Sequence, residues 1–149
     1  MADSATPATK TPWHLWVVGV VAVLWNSVGV LDFTMTQLKN EAYLKSLTPA
    51  QLGYIYSFPL WSVLAWFAGV YGGFFGSILL LARKRWAVPV FLVSIAGAIL
   101  TTFYSHVIND GNKVMGGGAG PAIFSAVIIT IAVLLGWYAR VMTRRGVLR

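Results

Sequence analysis

Asn26 and Asp32, in the stretch LWNSVGVLDF, and Ser105, His106 and Ser125 further along are polar or ionisable groups set among long apolar runs. A carboxylate, an imidazole and hydroxyls admit three chemistries: nucleophilic catalysis, metal or haem ligation, and recognition of a polar solute. Ser105 and His106 are adjacent, so on a helix they point about 100° apart, and no acid is spaced to complete a triad with them. The chain has no cysteine, which removes thiolate nucleophiles, disulfides and cysteine metal ligands. Its two histidines, His14 and His106, fall at opposite membrane faces in the topology that the charges dictate, which argues against a shared haem or metal. H-E-x-x-H spacing, nucleotide-binding motifs and paired membrane carboxylates are absent. These residues argue against an enzyme, a cofactor and a metal site, and leave recognition or packing.

The elements that must position them are membrane helices. The chain is 58% hydrophobic and 10% charged, with a mean hydropathy of +0.73, against about 45–50% apolar and about 25% charged in soluble proteins. Four runs approach or exceed the roughly 20 residues that cross a bilayer: Trp13 to Leu31, Phe58 to Leu81, Trp86 to Ile108 and Pro121 to Val141. The first is longer than the apolar core of a secretory signal and has no A-x-A site after it, so it reads as a retained helix. Residues 13–141 thus form one all-α, up-down antiparallel four-helix transmembrane domain, between an N-terminal tail of residues 1–12 and a basic tail of residues 142–149.

Charge sets the orientation. With both termini cytoplasmic, Lys10, Arg83, Lys84, Arg85, Arg140, Arg144, Arg145, Arg149 and Asp3 lie inside and carry the whole net charge of +7. Lys39, Lys45 and Lys113 balance Asp32, Glu41 and Asp110 outside. This is the positive-inside pattern of a multi-pass inner-membrane protein. It also accounts for the pI near 10.1 through contact with anionic lipid, which argues against nucleic acid as a partner. Trp13, Trp16, Trp86, Trp137 and Tyr138 then mark the inner interface, and Tyr54, Tyr56, Trp61 and Tyr104 the outer one.

The connections differ in kind. ARKRWA is a tight turn between antiparallel neighbours, whereas Asp32 to Ser57 is too long to lack structure. Within it TPAQ has the form of a capping box, with Thr48 as cap, Pro49 at the first helical position and Gln51 reaching back. The preceding LKNEAYLKSL suits a short amphipathic segment on the outer interface. Asp32 is itself a candidate cap for that segment. NDGNKVMGGGAGP reads as a flexible linker, since it lacks the lysine spacing and strand of a phosphate loop.

Small residues mark the packing faces. In GVYGGFFG, Gly69 with Gly73 and Gly72 with Gly76 make two G-x-x-x-G pairs that admit close backbones on two faces of the second span. Ser94, Gly97, Thr101 and Ser105 share one face of the third; Ser125, Ala132 and Gly136 do so on the fourth, and Gly19, Asn26 and Gly29 on the first. Asn26, Ser62, Thr101, Thr102, Tyr104, Ser105, His106 and Ser125 fall in the outer half of their spans, while the inner half offers little beyond Ser77. Asn26, Asp32, Trp61, Thr101, Ser105, His106 and Ser125 are therefore the candidate ligand-binding set, with Asn26 expected to bond the third span near Thr101 or Ser105 and Asp32 to sit above it within reach of His106. The plainer reading of the same residues is an interhelical polar cluster that holds the bundle together. Tyr71, in mid-span, is expected to pack and to reach another helix with its hydroxyl.

The runs TPWHLWVVGVVAVLWNSVGVLDFTMT, NEAYLKSLTPAQLGYIYSFPLW and ARVMTRRGVLR resemble a family of small four-span inner-membrane proteins of alphaproteobacteria and related bacteria, some of which carry the label "sugar transporter". The resemblance covers nearly the whole chain and brings no site residues with it. Two classes of function remain. One is an accessory or assembly subunit that docks on membrane partners as a homo-oligomer or within a larger complex. The other is a small transporter or solute-binding protein with a polar solute at the outer cluster. Membrane lipid is a partner in both. The topology predicts that reporter fusions at Lys113 and at Arg149 report opposite sides of the membrane; agreement between them refutes four spans.

Overall fold

A computed structural model describes residues 9–149, so most of the expected N-terminal tail lies outside the described residues. Eight pieces of helix make up 78% of the described residues: α1 (Trp13–Gln37), α2 (Glu41–Leu44), α3 (Pro49–Tyr56), α4 (Leu60–Leu81), α5 (Ala87–Phe103) continued by a π turn (Tyr104–Ile108), α6 (Gly111–Val114) and α7 (Gly120–Arg144). Four of them, of 25, 22, 22 and 25 residues with the π turn counted in α5, are long and apolar enough to cross a membrane. The fold is a membrane-type four-helix bundle. One end carries the Arg83–Arg85 turn and the C-terminal residues and is called the basic end; the other carries α2, α3 and α6 and is called the loop end.

Neighbours in the chain are neighbours in space. α4 packs on α5, α1 on α4 and α7 on α5, and each pair is antiparallel. A Cβ on Gly69 would lie 3.1 Å from Ala98 N, one on Gly72 3.0 Å from Ser94 Cβ, and one on Gly76 2.9 Å from the Phe91 ring. Position rises along α4 as it falls along α5. Gly97 is the tightest point, because a Cβ there would overlap Ala65 O and stand 2.5 Å from Gly69 N. Backbone therefore meets backbone, which only glycine permits on both sides. On α1, Gly29 faces Val70, 3.6 Å from where its Cβ would stand, and Gly19 faces Leu81; on α7, a Cβ on Gly136 would lie 3.1 Å from Ile95 Cδ1.

These contacts revise the two-face reading of the second span. Gly69, Gly72 and Gly76 all meet α5, and Gly73 sits where α1 and α5 converge, facing Asn26 and Ser94, whose Oγ would be 3.3 Å from a Cβ there. The reason is spacing: positions 69, 72, 73 and 76 advance by three, one and three residues, which keeps them on one side of a 3.6-residue helix.

The ends of the helices also depart from expectation. α1 runs six residues past Leu31 to Gln37, since Asp32, Thr34 and Thr36 are tolerated in a helix and nothing before Lys39 breaks it. Asp32 therefore caps nothing; Asn40 caps α2, its Oδ1 accepting from Tyr43 N at 3.0 Å. The capping box of α3 forms as spaced, with Gln51 N donating to Thr48 Oγ1 at 3.2 Å and Thr48 N to Gln51 Oε1 at 3.0 Å. The expected free linker contains α6, and Gly116, Gly117 and Gly118 follow it with positive φ.

Within the basic tail of residues 142–149, Met142, Val147 and Leu148 are buried while Arg144, Arg145 and Arg149 are exposed. α7 continues to Arg144, and Gly146 then takes φ 70° while Gly146 N reaches Thr143 O at 3.0 Å and Val147 N reaches Met142 O at 3.0 Å. This is a Schellman motif, in which glycine supplies the left-handed residue. It turns Val147 and Leu148 into a core with Leu15, Leu80, Ala87, Phe91, Ala139 and Met142. Arg149 closes the turn with Arg149 N to Arg83 O at 2.8 Å and Arg85 N to Arg149 O at 3.0 Å. At this same end His14 Nδ1 and Tyr138 OH share a hydrogen bond of 2.5 Å between α1 and α7.

Glycine substitutions separate these sites. Gly97→Ala is expected to lower stability by about 1–3 kcal/mol, the scale of overpacking, because the displaced atoms are backbone. Gly53→Ala, in α3 with nothing within 4 Å, is expected to be neutral or to stabilise by up to about 1 kcal/mol. Thermal unfolding in detergent compares the two; equal midpoints contradict the packing described.

Candidate functional site

Polar side chains gather at the loop end where α3, the π turn, α6 and α7 meet. The π turn is the reason. Asn109 N reaches back five residues to Tyr104 O at 2.9 Å, so this last turn of the third span is wider than an α-turn. Ser105 and His106 then serve different neighbours. Tyr54 OH, on α3, lies 2.5 Å from Ser105 Oγ and donates to Ser105 O at 3.0 Å. His106 Nε2 shares a 2.8 Å hydrogen bond with Ser125 Oγ on α7. The two side chains thus bond different helices, in keeping with the angle between adjacent positions on a helix.

Further bonds tie the same shell. Ser57 Oγ donates to Tyr54 O at 2.7 Å and accepts from Asn109 Nδ2 at 3.1 Å. Gly111 packs onto Tyr54 and Ser105, where a Cβ would be 2.7 Å from Ser105 O. Beneath lies an aromatic layer: the Phe58 ring is edge-on to Tyr54 at 5.2 Å and to Tyr104 at 5.1 Å, and Trp61 is edge-on to Tyr104 at 5.3 Å. Burial pushes the Tyr54 phenol above its ordinary value, against the hydrogen bond with Ser105 that pulls it down. Three buried polar atoms among the described residues have no partner: Ser62 Oγ, His106 Nδ1 and Asn112 Oδ1. All three belong to the loop end.

Four of the seven candidate residues, Trp61, Ser105, His106 and Ser125, fall in or beside this shell. Three do not. Asn26 Nδ2 donates to Ala22 O at 2.8 Å and to Ser77 Oγ at 3.2 Å, so its partner is the second span and not Thr101 or Ser105 of the third. Ser94 is the α5 residue that shares its gap at Gly73. Asp32 is exposed and accepts from Tyr43 OH at 2.8 Å instead of approaching His106. That bond holds the Tyr43 phenol above its usual value. Thr101 Oγ1 turns back to Gly97 O on its own helix at 2.9 Å. The common cause is that α1 packs against α4, with α4 between it and α5.

Other residues carry contacts that the sequence reading did not assign. Thr34 Oγ1 and Tyr71 OH meet at 2.9 Å across α1 and α4, which gives Tyr71 its interhelical partner. Tyr54 was read as an interface aromatic, yet it is buried and organises the shell. The usable signal was the capping box, which fixes the start of α3 and so the face on which Tyr54 lies. Asn112 had no signal beyond its polarity. Among the described residues no group of three or more His, Asp or Glu is placed to hold a metal.

Tyr54→Phe removes the donor to Ser105 and is expected to cost about 1–2 kcal/mol, as for a hydrogen bond whose partner stays buried. The sign with pH follows from the raised phenol. Its contribution is complete below the ordinary tyrosine value of 10.0 and is lost as pH rises through the higher folded value. The stability gap between wild type and Tyr54→Phe should therefore narrow in strong alkali; a gap that widens contradicts the assignment.

Compared with known proteins, the chain matches no family model, no curated protein and no solved structure.

Proposed function

We propose that this chain is a small multi-pass bacterial inner-membrane protein, with both termini cytoplasmic, that serves as an accessory or assembly subunit and associates with its own copies or with a larger membrane complex. One observation carries the reading: Ser62 Oγ and His106 Nδ1 apart, the buried polar side chains within the apolar spans bond another helix or their own. Asn26 bonds Ser77, Ser94 Oγ donates to Gly69 O at 2.5 Å, and Ser77 Oγ to Gly73 O at 2.7 Å. Towards the basic end the centre is filled by Leu15, Leu80, Phe91 and Met142. A carrier needs a polar exit on that side, and these residues offer none. The outward faces favour association. α1 packs mainly along α4 and α7 along α5, the two meeting at the basic end, and Trp16, Val20, Leu24 and Val28 on α1, with Phe124, Val127, Leu134 and Trp137 on α7, remain exposed.

A second reading, a small transporter or solute-binding protein, rests on the unpartnered Ser62 Oγ, His106 Nδ1 and Asn112 Oδ1. Buried polar groups without partners are uncommon and invite a water or a ligand. The "sugar transporter" label of the resembling family points the same way.

Native mass spectrometry of the protein extracted with its surrounding lipid separates the two. The first reading expects a homo-oligomer or a co-purifying membrane protein, unaffected by His106→Leu. A monomer that retains a polar small molecule, and loses it in His106→Leu, overturns it in favour of the second.

A further inference from the structure

A second feature of the loop end lies away from the polar shell. It is a groove of about 370 Å³ at the loop end, between α2 and α3, lined by Lys39, Glu41, Leu44, Lys45, Leu47, Leu52 and Tyr56. Its volume is within the range of small-molecule sites, about 300–1,000 Å³. The lining is divided by chemistry. Leu44, Leu47 and Leu52 give apolar walls, Leu44 being buried, while the two lysines and one carboxylate stand exposed, a net charge of one positive.

Lys39 is held in place. It ends α1 at φ 53°, in the left-handed region that non-glycine residues adopt at a cost, with Lys39 N on Thr36 O at 3.1 Å and Asn40 N on Met35 O at 3.0 Å. Its ammonium lies 5.1 Å from the centre of the Tyr56 ring, and Tyr56 OH donates to Thr36 O at 2.9 Å. A strained backbone, a ring and a capping bond thus fix one cation on the groove wall. Neither Lys39 nor Lys45 has a carboxylate partner among the described residues, where the ion pair is Lys113 with Asp110.

Depth supplies the rest. α1 has 25 residues, or roughly 37 Å at 1.5 Å each, against about 30 Å of hydrocarbon. Lys39, just past its end, therefore stands at headgroup level. An apolar wall that opens at this level under unpaired cations matches one kind of molecule: an acyl chain bearing an anionic phosphodiester.

We infer that this groove binds the phosphodiester headgroup of an anionic phospholipid in the leaflet at the loop end, with Lys39 and Lys45 on the phosphate and the leucines against the start of its chains. Glu41 repels the same phosphate and sets the affinity below its maximum. The inference is independent of the function proposed above, since it concerns neither oligomeric state nor the polar shell.

The test titrates the delipidated full-length protein in detergent with phosphatidylglycerol, with diacylglycerol of the same chains, and with soluble glycerol phosphate, counting bound molecules by native mass spectrometry. Phosphatidylglycerol is expected to bind at least ten times more tightly than diacylglycerol. Lys39→Asn, chosen because asparagine tolerates a positive φ, and Lys45→Gln are each expected to weaken it about five-fold. Glu41→Gln is expected to strengthen it by a similar factor and decides the matter if the lysine variants do not fold. Equal binding of diacylglycerol, or an unchanged affinity in Glu41→Gln, overturns the proposal. Competition by glycerol phosphate at the concentrations at which phosphatidylglycerol binds overturns the lipid assignment in favour of a soluble phosphate site.

Discussion

The bundle depends on the place where the backbones of α4 and α5 touch. Gly97 faces Gly69 with no room for a methyl group on Gly97 and little on Gly69, and Ser94 Oγ reaches across to Gly69 O at 2.5 Å. In an apolar solvent, burying apolar surface does not drive helices together, because lipid is as apolar as leucine. Close packing and interhelical hydrogen bonds must do so, and both are concentrated here. Once α4 and α5 are joined along this line, α4 has its other flank left for α1, and α5 has its own left for α7. The order of the four spans follows from that.

The same order explains why the polar residues part company. Asn26 stands at the level of Gly73 and Ser77, toward the basic end of α4, whereas His106 lies at the loop end of the third span, and α4 stands between α1 and α5. Asn26 consequently finds Ser77, and His106 finds Ser125 on α7. A membrane span tolerates a polar group only where it is paired, so each residue settles with the nearest partner its helix order allows. Thr101, Thr130 and Thr143 solve the problem alone, each hydroxyl donating to the carbonyl four residues back. The unpaired atoms that remain cluster beside the π turn, where the regular ladder is already broken.

Much of this was legible in the residues. Hydropathy located four spans, and the capping box Thr48–Gln51 formed with both of its bonds. The neighbour of each polar face was not legible, because periodicity tells which residues share a side and not which helix that side meets. Asn26 shows the limit: its stripe with Gly19 and Gly29 is real, but the stripe faces α4. The C-terminal residues show another. Charge marked them as a basic tail, while Gly146 followed by two apolar residues is a helix-stop signal that folds Val147 and Leu148 back into the core. The π turn over Tyr104–Ile108 had no counterpart in the helical periodicity, which assumes 3.6 residues per turn throughout.

Because the chain lacks cysteine, one paired substitution reports directly on the α4–α5 contact. A Cβ on Gly72 would stand 3.0 Å from that of Ser94, slightly inside the ~3.5–4.5 Å that a disulfide needs, a difference that small helix shifts accommodate. Gly72→Cys with Ser94→Cys, oxidised in native membranes, should give an intramolecular cross-link in the monomer, visible as a reduction-sensitive change in gel mobility. Absence of that cross-link, or links between separate chains alone, would contradict a bundle built on this line.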